Sequence, residues 1–231
     1  DVADFQKHLS PNINTLHHQL VSGSYKHSSY QMFKICDTKQ RTIHKAIVFD
    51  RLVHQAIVSA VEPIFERQFI YDSYSCRINK GTHAGVKRLN LFLRKASKNN
   101  SQKIYVLKCD IRQFFASIDR KILFGLIQEK ISDKQTLDLL KIIIDSHSSS
   151  AGKGIPLGNV TSQLFANTYL HELDWFMKQT LGIKHYIRYC DDSVIISTDI
   201  ANLKSLTDPI RQFLSEKLKL ELHPNKISIR S

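Results

Sequence analysis

The stretch Ile187-Arg188-Tyr189-Cys190-Asp191-Asp192-Ser193-Val194-Ile195-Ile196 sets two adjacent acids between two short runs of strand-forming residues. Such a pattern reads as a β-hairpin with the carboxylates at its tip. A carboxylate pair there is a good Mg²⁺ anchor, because that ion takes hard oxygen ligands from a few carboxylates plus substrate phosphates. Alone, the tetrapeptide Tyr189–Asp192 is more often a solvated turn. The reading therefore depends on a third carboxylate and a nucleic-acid groove elsewhere in the chain.

Ile104-Tyr105-Val106-Leu107 reads as a core strand within Lys103–Cys109, and Asp110 stands at its end, followed by the aromatic pair Phe114-Phe115. Taken singly, Asp110 could cap a turn while both rings fill the core. The chain carries 33 Lys+Arg against 21 Asp+Glu, a net charge of +12. That much positive charge on a folded chain favours a polyanionic partner, though secreted basic proteins and membrane-surface binders share it. An apolar share of 42% is enough to build a core in 231 residues, which excludes global disorder.

Cys36, Cys76, Cys109 and Cys190 are scattered without a C-x-x-C, so they read as reduced thiols rather than a disulfide frame or a zinc site. The eleven histidines form no cluster with metal-ligand spacing. No run is long and apolar enough to span a membrane and no signal peptide is visible, which makes the cytoplasm the default expectation. The chain begins at Asp1 and ends in what reads as mid-strand, so a segment of a longer protein is expected.

Between these landmarks the first forty residues give no clear pattern. Helical periodicity runs over residues 45–70, with Pro63 as a candidate kink, and over the basic amphipathic segment Thr82–Ala96. Further helices are expected near 120–130, capped by Asp119, and 133–145, capped by Ser132. A long helix over 159–181 and another over 203–218 follow. Strands are expected in 184–197, broken at Cys190–Ser193, and at 220–222 and 227–229. This order implies an α+β domain, an antiparallel sheet covered by helices on one face.

In combination these residues form a recognisable set. Asp110-Ile111-x-x-Phe114-Phe115 and Tyr189-x-Asp191-Asp192 resemble the two catalytic palm motifs of bacterial-type reverse transcriptases. Gly154-Ile-Pro-Leu-Gly-Asn-Val-Thr-Ser-Gln163-Leu-Phe-Ala-Asn167-x-Tyr-Leu resembles that family's nucleotide- and template-contacting motif. Phe69 to His83, with Arg77 and Lys80, resembles its fingers segment, and Phe213 to Lys226 its lysine-bearing closing motif. The resemblance covers essentially the whole chain. It implies the fingers and palm of a right-hand polymerase, with fingers mainly in residues 1–100 and about 120–160, and palm in about 101–119 and 161–231. The family's primer grip and helical thumb would follow Ser231, so this segment alone is expected to copy with weak processivity.

The resemblance implies an RNA-directed DNA polymerase that joins dNTPs to a primer 3′-OH by two-metal phosphoryl transfer. Asp110, Asp191, Asp192 and the Ile111 carbonyl would hold two Mg²⁺ ions, for which Mn²⁺ could substitute. Lys226 would act as general acid toward pyrophosphate. Phe115 matches the steric gate that rejects a ribose 2′-OH. Lys34, Lys39 and Arg41 fall in the basic fingers strand over the triphosphate, and Leu157, Gly158 and Gln163 near the nucleotide. Arg77, Lys80, Asn159 and Tyr189 would contact template or primer, and the helix bearing Lys87, Arg88, Arg94 and Lys95 would track template phosphates. The partners implied are an RNA template, a DNA or RNA primer and dNTPs. An accessory protein, a cognate structured RNA or a homodimer are further options.

One departure points to a subfamily. Many members carry Pro-Gln-Gly where this chain has Pro156-Leu157-Gly158-Asn159, a form that resembles diversity-generating retroelement enzymes. Group II intron and retron or phage-defence reverse transcriptases are the alternatives. A catalytically idle RNA-binding scaffold is the alternative of another class.

Overall fold

The computed structural model describes residues 2–36, 40–147 and 149–231. In chain order it forms α1 (Val2–Lys7), α2 (Leu9–Val21), β1 (Gln31–Cys36), β2 (Gln40–Lys45), α3 (Val48–Glu66), α4 (Thr82–Ala96) and β3 (Tyr105–Cys109). Then come α5 (Phe114–Ser117), α6 (Arg120–Gln128), α7 (Lys134–Asp145), α8 (Val160–Trp175), β4 (Tyr186–Tyr189), β5 (Asp192–Ser197), α9 (Ile200–Lys217) and β6 (Ser228–Arg230). The architecture is α+β.

The central sheet has the order β4-β5-β3-β6, antiparallel throughout, and β1 and β2 form a separate ribbon. Strand side chains alternate between faces, so the register sorts them. Leu107, Cys109, Tyr186, Arg188 and Ile195 are buried with α8 and α9 on one face. Val106, Ile187, Val194 and Ile196 lie on the other, against Phe92 and Ala96 of α4. Helices thus cover one face completely and half of the second, not one face alone. The uncovered half carries Lys108, Tyr189 and Asp192.

α8 is buried around nearly its whole circumference and forms the spine of the core. α3 presents Val53, Ile57, Val58, Val61 and Phe65 at helical spacing and packs against it. The Asp119 carboxylate accepts from the backbone N–H groups of Lys121 and Ile122, the expected N-cap.

Several expectations are corrected. Asp133 rather than Ser132 caps α7, its carboxylate accepting from Thr136 N–H. α8 stops at Trp175 and passes into a π-helical turn, Phe176–Thr180. The 220–222 strand reduces to one bridge, Leu222 with Ile111. The unassigned N-terminal segment forms two helices and the β1–β2 ribbon. α2 buries only Leu16, so it has no apolar stripe to read.

Candidate active site

The β4–β5 hairpin closes through Cys190 and Asp191 alone, since Tyr189 already pairs with Asp192. Cys190 sits at φ 53, in the left-handed region where a turn normally prefers glycine. Arg188 holds it there. Its guanidinium donates to the Cys190 carbonyl at 2.9 Å and to the Asn167 side-chain oxygen at 3.2 Å. It also donates to Ser73 Oγ at 3.1 Å. Asp174 receives the guanidinium bidentately, at 2.8 and 2.7 Å, and accepts from the Tyr186 hydroxyl at 2.7 Å. Arg188 and Asp174 are 1% and 0% exposed, so a fully buried ion pair stands directly beneath the acidic turn.

The register brings Asp110 to the same place. Cys109 pairs with Ser193, so the next step of each strand sets Asp110 opposite Asp192. Asp110 is anchored by its carbonyl, which accepts from His223 N–H at 2.8 Å. Ile111 is bridged to Leu222 and Arg112 N–H donates to the Glu221 carbonyl, which fixes the Ile111 backbone. The electrostatics record the proximity of the acids. Burial holds the Asp191 carboxyl above its usual range, and the Asp110 and Asp192 charges push it further up. Hydrogen bonds from its own N–H and from the Cys190 thiol act in the opposite direction.

Two lysines answer those charges. Lys226 Nζ donates to Asp110 Oδ2 at 2.5 Å, and Lys108 Nζ lies 3.2 Å from Asp192 Oδ1. As placed, no three His, Cys, Asp or Glu side chains among the described residues are grouped closely enough to hold a metal ion. The donor chemistry nevertheless fits a divalent cation. Three carboxylates with like-charge repulsion, one of them buried, supply the hard oxygens that Mg²⁺ or Mn²⁺ takes. Asp110, Asp191 and Asp192, with the Ile111 carbonyl beside them, are the residues that could hold it.

Phe115, five residues after Asp110, is half-buried and edge-on to the buried Phe114 ring at 5.3 Å between centroids. Its carbonyl accepts from Ile155 N–H, which ties it to the segment before Leu157. Gly158, at φ +111, approaches the β1–β2 ribbon so closely that a Cβ would meet Ile43 Cγ2 at 2.6 Å. His44 N–H donates to the Leu157 carbonyl, extending the ribbon by one contact. Gln163 is exposed within a run of α8 that is otherwise buried from Thr161 to Leu170.

The ribbon separates Lys34 from Arg41. Lys34 pairs with Thr42 and Ile35 with Arg41, so the two cations leave opposite faces. Arg41 shares the face of Ile43, which meets the Gly158 loop. Lys34 shares the face of His44. Neither makes an ion pair with a described residue, so both charges are available. Lys39 lies outside the described residues.

The expected template contacts fare differently. Tyr189 is 42% exposed on the open face, its hydroxyl 3.1 Å from Thr82 Oγ1. Asn159 is buried, and its amide is spent on backbone. Its oxygen accepts from Ala46 N–H at 3.2 Å, and its nitrogen donates to the His44 carbonyl at 2.8 Å. It clamps the ribbon to the start of α8. Arg77 is likewise consumed, by Glu66 and by the carbonyls of Ile70 and Ser73. Lys80 donates to the Tyr71 carbonyl with its ammonium 3.5 Å from the Tyr71 ring centroid. Arg88 pairs with Asp72, leaving Lys87, Arg94 and Lys95 exposed on α4.

Sequence reasoning gave Arg188 and Asp174 no role, and it placed Asn167 in the nucleotide- and template-contacting motif without its bond to Arg188. A signal was present, because Arg188 occupies the inward parity of Tyr186 within an otherwise apolar strand. A charge there must be paired.

Comparison with known proteins gives the family. The family model described as reverse transcriptase (RNA-dependent DNA polymerase) matches residues 26–231, and the chain belongs to that family. It is 25% identical to Protein YkfC of Escherichia coli K12, over 97% of this chain and 69% of that protein. It is 33% identical to the retron Ec73 reverse transcriptase of Escherichia coli, over 61% of this chain and 45% of the other. With the group II intron-encoded protein LtrA of Lactococcus lactis it shares 29% identity, over 61% of this chain and 23% of LtrA. Telomerase from Candida albicans, solved with a TWJ fragment of telomeric RNA, has the same fold. Its TM-score is 0.63 at 11% identity, covering 90% of this chain and 42% of that one. The chain thus spans less than half of the retron, intron and telomerase proteins. No helix among the described residues is long and apolar enough to cross a membrane.

Proposed function

We propose that this chain carries the fingers and palm of an RNA-directed DNA polymerase, with the boundaries given above, adding dNTPs to a primer 3′-OH on an RNA template. The observation that supports it most is Asp110 and the Asp191-Asp192 turn at one end of adjacent strands, on the open half of the sheet. Two Mg²⁺ ions held by Asp110, Asp191, Asp192 and the Ile111 carbonyl would stabilise the attacking and leaving oxygens of phosphoryl transfer. Arg41, on the ribbon face that meets the Gly158 loop, suits a bidentate phosphate contact, and Lys34 a point-charge contact. Phe115 would underlie the sugar and exclude a 2′-OH. Lys226 would give its proton to the departing pyrophosphate. Gln163 and Leu157 would border the incoming base, and Tyr189 the primer end. Extension of oligo(dT) on poly(rA), with Asp191→Ala as control, separates an enzyme from an RNA-binding scaffold.

The finer reading is a diversity-generating retroelement enzyme, and it rests on Pro156-Leu157-Gly158-Asn159. An apolar Leu157 beside the base pair removes a hydrogen-bonding side chain and loosens discrimination. Leu157→Gln should then lower misinsertion opposite template adenine; unchanged misinsertion would sink that link. The likeness to LtrA and to a retron enzyme favours a second reading, an intron or retron reverse transcriptase. Flanking DNA with a template repeat and a variable repeat distinguishes the first from the second.

A further inference from the structure

At the end of the sheet away from the acidic turn, a cleft of about 560 Å³ opens between the end of α4, the start of β4 and the end of β5. Lys95, Lys98, Lys184 and His185 line it, with Ile195 and Leu206 among its apolar residues. No Asp or Glu is among the lining residues. Asp199, next in sequence to the lining Thr198, spends its carboxylate on the Ala201 and Asn202 N–H groups that begin α9. Lys178 is also occupied, pairing with Asp72 and donating to the Lys184 carbonyl. The ammonium groups of Lys95, Lys98 and Lys184 make no hydrogen bond or ion pair with a described residue. The field of Lys95 and Lys184, together with that of the paired Lys178 and Arg88, is felt inside the cleft. Burial first, and then Lys178, Lys95, Lys184 and Arg88, hold the His185 imidazole below its usual range. Cations gathered without a counter-ion repel one another, and a bound polyanion would relieve that cost.

We propose that this cleft is a second nucleic-acid site, which takes the phosphodiester backbone of RNA outside the stretch being copied. The inference rests on the reverse-transcriptase reading, which makes RNA the polyanion the chain must hold. Geometry gives the spacing. β5 runs from Asp192 at the acidic turn to Ser197 at the cleft, roughly 17 Å at the rise of an extended strand. Because α4 covers the sheet between the two ends, an RNA touching both would pass around it and bridge more than about five nucleotides at about 3.4 Å each. The cleft would thus hold a flanking segment without competing for the copying site.

The test combines Lys98→Gln with Lys184→Gln in the full chain. Binding of a long fluorescein-labelled RNA is followed by anisotropy across a salt series, beside primer extension on a short RNA template. Each single-strand phosphate contact contributes about 0.7 to the slope of log affinity against log salt, so losing two should flatten it by about 1.4. Extension on the short template should not change. Lys121→Gln with Lys134→Gln alters the net charge equally, elsewhere on the surface, and should leave the slope alone. An unchanged slope for the Lys98/Lys184 variant, or an equal loss in both double variants, overturns the proposal. Should the unsubstituted chain fail to extend the short template, the copying reading falls, and the slopes still judge the cleft.

Discussion

Arg188 and Asp174 form a bidentate ion pair at 2.7–2.8 Å with almost no solvent contact, and the same guanidinium holds the Cys190 carbonyl. The pair joins α8 to the acidic turn, and Ser73 joins the segment before α4 to both. Breaking such a pair on one side leaves an uncompensated buried charge, which costs about 3–5 kcal/mol. Asp174→Asn and Arg188→Met should each lower the unfolding free energy extrapolated from urea melts by that order. Arg188→Lys should not rescue, because a single ammonium cannot replace the fork of donors. A melting curve for Arg188→Lys matching the unsubstituted chain would contradict this.

Asn159 should behave as a clamp and not as a template contact. Removing its buried amide strands the Ala46 N–H and the His44 carbonyl, a loss of about 1–3 kcal/mol. Asn159→Ala should therefore reduce stability while leaving the salt dependence of RNA binding in place. A flattened salt slope at unchanged stability would return Asn159 to the template.

Phe115 makes a selective prediction. Trimming its ring in Phe115→Val should raise incorporation of ribonucleotides relative to deoxyribonucleotides by about 10–200-fold, the range one steric contact supplies. The readout is the ratio of kcat/KM for the two nucleotides. Equal discrimination before and after would move the gate elsewhere.

Lys226 stands on Asp110 and should act through proton transfer. Lys226→Ala is expected to lower kcat by about 10²-fold or more, with a small effect on KM for the nucleotide. A change confined to KM would assign it to binding alone.

Stability should fall in mild acid. Burial, then the His27 charge, push the His54 imidazole down to about 4 from its ordinary 6.5, while Asp50 partly opposes them. Its ring nitrogens meet Thr161 Oγ1 at 3.1 Å and His27 Nε2 at 3.0 Å. Because the folded value is depressed, the unfolded chain binds the extra proton between these limits. Stability is thus present above pH 6.5 and is lost as pH falls toward 4. At pH 5 the loss from this site is on the order of 2 kcal/mol. Urea midpoints at pH 7.5 and 5, compared with those of His54→Asn, check it: the variant should show the weaker dependence.

Much of this was legible in the sequence where periodicity and local chemistry agree. α4 spans its predicted residues, the hairpin sits where Val194-Ile195-Ile196 placed it, and Asp119 caps α6. What the sequence hid depends on long-range pairing. The β1–β2 ribbon is almost wholly exposed, so it has no alternation to read. Basic residue type did not reveal that Arg77 and Lys80 are consumed by nearby carbonyls, a carboxylate and rings, or that Lys34 and Arg41 face apart. The role of Arg188 depends on Asp174, fourteen residues earlier on α8, a pairing that local sequence does not display.

Asp110 and Asp191 should act as one site for nucleotide transfer. The most direct measurement is single-nucleotide addition of dTTP to oligo(dT) on poly(rA) with Mg²⁺, for the unsubstituted chain, Asp110→Asn and Asp191→Asn. The unsubstituted chain should add the nucleotide, and both variants should lose at least about 10³-fold, with fold and RNA affinity retained. Undiminished addition by either variant, or none by the unsubstituted chain while it binds the hybrid, would contradict it.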